Sequence, residues 1–190
     1  MTSMDDAGGL FLTVGPRERA ALLAEGLARE VVSGLLVLPG VPVTTSVRAL
    51  ALRARLGPHQ TDPARGRCFG FATAAWVHGG FPGLPAPAPL DLVIGRNRRS
   101  PRLGGVRVRQ VDIPPEQVQL VEGVPVTAPL RTATDVARDL PRDRALPVLR
   151  LLQELHDVHP PQVLRLLTRM PYARGVAVAR DVVRAWAEMA

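Results

Sequence analysis

The chain has 190 residues, 46% of them hydrophobic, which is enough to bury a core and suits one domain or a small module followed by a larger one. All 24 basic side chains are arginine, so mechanisms that need a lysine are excluded, P-loop and Schiff-base chemistry among them. The net charge of +7 is concentrated: residues 92–111 hold six arginines and no acid, and residues 48–67 hold five arginines against Asp62 alone.

Residues 16–25 read as a short helix, with Pro16 in its first turn and Gly26 ending it. Residues 27–33 are expected to form a second short helix, and residues 35–38 a strand stopped by Pro39 and Gly40. Thr44 or Thr45 caps a helix that ends at Gly57 and Pro58. Residues 57–67 read as a polar loop, and residues 70–78 as a helix with Phe71, Ala74, Ala75 and His78 on one face. A stiff connector rich in glycine and proline leads to a strand at 90–94 and a loop at 95–105. Val106, Val108 and Val111 alternate with Arg107 and Arg109, the period of a half-buried strand. Glu122 and Gly123, between residues 118–121 and 124–126, signal a hairpin turn.

From Pro129 onward the apolar spacing is helical. Leu130, Ala133, Ala137 and Leu140 form one stripe; Val148, Leu151, Leu152 and Leu155 form another. Val163, Leu166, Leu167 and Met170 form a third, and Val176, Ala179, Val183, Trp186 and Ala190 a fourth. Breaks are expected near Pro141, at residues 159–161 and at Pro171. The order of elements describes an α+β chain with a short, mostly antiparallel sheet and a C-terminal helical bundle.

The candidate binding residues are arginines. Guanidinium groups bind phosphate bidentately, and strand residues two apart share a face. Arg96, Arg98, Arg99, Arg102, Arg107 and Arg109 therefore suit a nucleic-acid backbone, or equally an acidic protein surface. The ordinary alternative is a solvated hairpin in an arginine-biased chain. Arg48 and Arg55 in the second basic block, with Arg17 and Arg19 in the first helix, complete the set. The two blocks could lie on one surface or on two.

Other polar groups have structural explanations. Arg131, Asp135 and Arg138 stand at helical spacing, where exposed pairs tether a helix by about 0.2–0.5 kcal/mol each. Thr127 is the expected N-cap of that helix, with Pro129 in its first turn. His78 reads as a packed or capping residue. His156 and His159 have a metal-like spacing, but Pro160 and Pro161 interrupt the helix and no third ligand is evident. Asp91 lacks the Gly-Ser turn and second nearby carboxylate of a nucleotidyltransferase site. Cys68 is the only cysteine, which excludes an internal disulfide or a cysteine-based zinc site and suits a cytoplasmic protein. The acidic N-terminal Met-Thr-Ser-Met-Asp-Asp is unlike a signal peptide, and the longest apolar stretch, 31–43, is too broken to span a membrane. No enzymatic, metal or cofactor site is read from the residues.

Three segments carry a resemblance. Ala72-Thr73-Ala74-Ala75-Trp76-Val77-His78-Gly79, the strand at 90–94, and Gly123-Val124-Pro125-Val126-Thr127-Ala128-Pro129-Leu130-Arg131-Thr132-Ala133-Thr134-Asp135 resemble the AbiEi family of antitoxins, most closely its actinobacterial members. The resemblance spans residues 17–188, with its specific motifs in 70–138. It implies a shortened, winged-helix-like module over residues 1–67 and an antitoxin α+β domain over 68–190. It further implies an autorepressor that binds DNA at its own promoter and opposes a nucleotidyltransferase toxin as partner, with no membrane role. The alternative, from a different class, is an interaction module that binds a partner protein without touching DNA. Where a recognition helix would carry polar base-readers, residues 27–34 are nearly apolar, with Arg29 and Glu30 their only charges.

Overall fold

Pro16 pre-sets the first turn of helix α1 (Pro16–Ala24), and no residue of that helix is buried. The chain then turns into a hairpin, β1 (Arg29–Val32) and β2 (Leu35–Val37), paired antiparallel across Ser33 and Gly34. Helix α2 (Thr45–Leu56) starts at Thr44, whose hydroxyl accepts the Val47 amide at 3.3 Å. These coordinates are a computed structural model, which describes residues 9–170 and 173–189. The expected break at Pro171, the end of the fourth stripe at Ala190 and the acidic N-terminal hexapeptide lie outside the described residues.

The expected second helix at 27–33 is instead the hairpin. Val31 and Val32 are β-branched and almost fully buried, and Gly34 takes a φ of +87° that the tight Ser-Gly turn requires. Tertiary burial and turn chemistry win over helix propensity here.

The main sheet has five strands in the order β5-β4-β3-β7-β6. They are β3 (Arg67–Phe69), β4 (Leu90–Ile94), β5 (Val106–Gln110), β6 (Val118–Val121) and β7 (Val124–Thr127). β3 pairs antiparallel with β4 and parallel with β7; β4 and β5 are parallel, and β6 and β7 antiparallel. The sheet is thus evenly mixed rather than mostly antiparallel, because β3 enters at its centre. That strand falls partly in what the sequence presents as the end of a loop.

Register sorts the two faces. Phe69, Leu92 and Val126 lie on one face, which packs with Val31, Val37, Leu52 and Trp76 into a core shared by the hairpin, α2 and the sheet. Cys68 and Val93 lie on the other face, beside Phe71. Helix α3 (Phe71–Val77) leaves β3 through Gly70, where an added Cβ would sit 2.7 Å from Val93 Cγ2. Only glycine fits that approach.

The expected C-terminal helices form, as α4 (Pro129–Asp139), α5 (Arg142–His156), α6 (Pro160–Thr168) and α7 (Val176–Ala187). Ala133, Ala137, Leu149, Leu152, Val163, Leu167, Val183 and Trp186 fill their common core, with Ala75 joining from α3. Two details differ from the periodic reading. Leu155 is 56% exposed while Leu149 is buried, and the N-cap of α4 is Ala128, not Thr127. Thr127 instead meets Thr132 through their hydroxyls at 2.7 Å.

Candidate nucleic-acid interface

The arginines divide by what neutralises them. In the parallel β4–β5 pair Asp91 stands opposite Arg107, and Val93 opposite Arg109. Asp91 is fully buried and accepts from Arg107 Nε at 2.7 Å, Arg107 Nη2 at 3.1 Å and Arg109 Nε at 3.0 Å. Arg109 also reaches Asp139 at 2.7 Å and covers the Phe71 ring at 4.3 Å. The hydrogen bond to Asp91 holds the Arg107 pKa above its usual range. The segment 92–111 contains no acid, yet Asp91 and Asp139 enter from other elements to take up both strand arginines.

Arg48 is also spent internally. It is 7% exposed, donates to the Trp76 carbonyl at 2.7 Å and lies 5.7 Å from the Trp76 ring, which ties α2 to α3. Arg131, Asp135 and Arg138 form the expected trio, but inside the fold. Asp135 is fully buried and bonds Arg131 at 2.8 Å and Arg138 at 2.9 Å. Burial raises the Asp135 pKa, while the two guanidiniums oppose that rise. Arg131 also bonds Gln117, and Arg138 the Arg174 carbonyl.

The histidines and the cysteine belong to packing. His78 ends α3, is 1% exposed and donates from Nε2 to the Thr127 carbonyl at 2.8 Å. Burial pushes its pKa down to about 4. His156 Nε2 meets the His78 carbonyl, and His159 faces Asp157 at 2.7 Å while completing a capping box with Gln162. Burial pushes the Cys68 thiol up to about 12, so it stays protonated at neutral pH.

Several of the remaining arginines converge. Arg67 opens β3 opposite Ile94, which ends β4, so the loop before β3 and the loop after β4 leave the sheet at the same end. A Cβ built on Gly66 would lie 3.8 Å from Arg98 Nη2, and one on Gly105 would lie 4.0 Å from Arg55 Nη2. Arg55 Nε also holds the Ser33 carbonyl at 3.1 Å, which brings the β1–β2 turn beside the start of β5. The 57–66 and 95–105 loops, one from each basic block, therefore meet at the Arg67 end of the sheet, while Gly105, whose carbonyl accepts the Leu90 amide, places Arg55 at the opposite end. The Arg67 end gathers Arg65, Arg67, Arg96, Arg98 and Arg99 against Asp62 and Asp112. Arg65 pairs with Asp62 at 3.6 Å, Arg96 with Asp112 at 3.7 Å, and Arg67 bonds Gln60. Arg98, Arg99 and Arg102 are exposed, with no carboxylate in ion-pair contact among the described residues. Arg17 is exposed on α1, and Arg19 pairs with Glu30 at 3.3 Å.

The profile of the AbiEi antitoxin C-terminal domain matches residues 68–184. The chain belongs to the AbiEi antitoxin family. In this AbiEi protein the matched region contains both buried ion-pair networks and the 95–105 loop, while Arg55 and Arg65 lie outside it. Among solved structures, the RV2827C protein from Mycobacterium tuberculosis is similar at 17% identity, covering 90% of this chain and 68% of that one with a TM-score of 0.44. No curated protein matches significantly. Among the described residues, no helix is long and apolar enough to cross a membrane, and no group of three or more metal-ligating side chains gathers.

Proposed function

We propose that this AbiEi-family chain is a non-enzymatic antitoxin and autorepressor that grips duplex DNA with its basic end and opposes a nucleotidyltransferase toxin. One observation carries the DNA reading: five arginines from both basic blocks meet at one end of the sheet, and three of them, Arg67, Arg98 and Arg99, have no carboxylate in ion-pair contact among the described residues. Arginines clustered this way present a phosphate-binding field, because each guanidinium takes two phosphate oxygens and the summed potential draws in a polyanion. Family membership supports the antitoxin part.

The division into a winged-helix-like module, 1–67, and an antitoxin domain, 68–190, fits the start of the family match at residue 68. In this reading the β1–β2 hairpin acts as a wing, and Arg55 holds its turn beside the 95–105 loop. The deeply buried carboxylates Asp91 and Asp135 are committed to ion pairs, which supports a regulator rather than a catalyst.

The test is fluorescence anisotropy with a duplex from the region upstream of the gene, titrated with salt. Each phosphate contact contributes about −0.9 to the slope of log K against log salt, so four or five contacts give a slope of about −3.6 to −4.5. Absence of binding at low salt would overturn the reading in favour of a module that binds only protein.

A further inference from the structure

The sheet ends on β6, and among the described residues no strand pairs with its outer edge. Glu122 and Gly123 form a two-residue turn with φ of +50° and +75°, so Val121 and Val124 are a hydrogen-bonded pair. Antiparallel pairs alternate, and the Ala128 amide bond to the Gln117 carbonyl confirms the phase. Leu120 therefore directs its amide and carbonyl away from β7, to the open side, and Val118 does the same with its carbonyl. Outer strands are normally blunted by charge, proline or a bulge. β6 reads Val-Gln-Leu-Val, carries none of these, and leaves Leu120 59% exposed. The opposite edge, β5, carries Arg107 and Arg109.

Beside this edge lies a groove of about 450 Å³, lined on one side by Val118, Leu120, Ile113 and Val93 and on the other by Gly66, Arg67 and Asp112. Charge brackets the edge. Glu116 precedes β6, Glu122 follows it, and both are exposed.

We propose that β6 takes up an extended segment of a partner protein as a sixth strand, apolar at alternate positions and flanked by basic residues. Backbone bonds to Leu120 and Val118 supply the register, and the alternate apolar side chains cover Leu120 and the mouth of the groove. The acidic brackets select the partner's charge and argue against a second copy of this chain. A two-fold pairing centred on Gln119 would set Glu116 against Glu122 of the other copy at both ends, and like charges facing across strands are destabilising. The site adjoins the arginine end along the wall that holds Gly66 and Arg67, but the proposal does not rest on DNA binding.

The experiment uses the full chain, labelled with nitrogen-15, and three synthetic peptides: Arg-Thr-Val-Thr-Val-Thr-Arg, its twin with glutamate at both ends, and a version with proline at the centre. The basic peptide should shift the amides of residues 118–121, slow exchange of the Leu120 amide, and bind at least about tenfold more tightly than the acidic twin at low salt. The proline peptide should not bind. Glu116→Lys with Glu122→Lys should reverse the preference between the twins. Equal affinity for the twins, no response at β6, or binding without slower exchange at Leu120 would each overturn the proposal. So would a concentration-dependent dimer whose Leu120 amide is already protected without peptide.

Discussion

Asp91 shows how one residue decides what two arginines are for. Its carboxylate, at 0% exposure, neutralises Arg107 and Arg109 together. Asp91→Asn would leave both guanidiniums facing a neutral amide, and urea unfolding should show a loss of about 3 kcal/mol. Arg107→Ala should cost under about 1 kcal/mol, because that side chain is 47% exposed and its charge is screened. Equal losses from the two variants would contradict this division of labour. His78 gives the molecule a pH dependence whose sign follows from its burial. Its folded pKa of about 4 lies below the ordinary 6.5, so the unfolded chain takes up a proton first as pH falls. The stability it contributes is complete above pH 6.5 and drains away as pH drops through 4, about 3 kcal/mol in full. His78→Gln keeps a donor for the Thr127 carbonyl but cannot titrate. The stability gap between wild type and this variant should therefore shrink between pH 7 and pH 4; a constant gap would refute the assignment.

At the scale of elements, proline, glycine and periodicity made much of the fold legible. Thr44, Gly57, Pro141 and the 159–161 break bound helices as expected, and Glu122-Gly123 turns the β6–β7 hairpin. What stayed hidden had no local signal. β3 is three residues long, Arg67 to Phe69, and exists because β4 and β7 pair with it on either side. The β1 segment carries a helix-compatible composition, and only its pairing with β2 and the burial of Val31 and Val32 make it a strand. The candidate site was half visible: the arginine blocks stand out in the sequence, but the aspartates that disarm Arg107 and Arg109 come from β4 and α4. Gly175 joins the element scale to stability. It starts α7 at a φ of +81°, and an added Cβ would lie 2.6 Å from the Arg138 carbonyl oxygen. Gly175→Ala should cost about 2–3 kcal/mol in thermal or urea unfolding, since backbone strain and overpacking act together. A loss below about 0.5 kcal/mol would show that the α4–α7 approach is looser than described.

Across the whole molecule, the fold sorts its charge. Arginines on the edge strand β5 and in the helical bundle are consumed by Asp91, Asp135 and Asp139, while those of the 57–66 loop and the start of the 95–105 loop gather at one end. The pairing of Arg67 with Ile94 and the approach of Arg98 to Gly66 hold the two basic blocks together, so neither presents the surface alone. The central claim is that this shared end, and not α1, contacts the phosphate backbone. The salt dependence of duplex binding by Arg98→Ala with Arg99→Ala, set against Arg17→Ala with Arg19→Ala, tests it most directly. The first pair should weaken binding to all sequences alike and flatten the salt slope by up to about two units. Its stability should stay within about 0.5 kcal/mol of wild type, because both side chains are exposed. The second pair should leave the slope unchanged. Full affinity and an unaltered slope in the first pair, with the loss appearing in the second, would contradict the account.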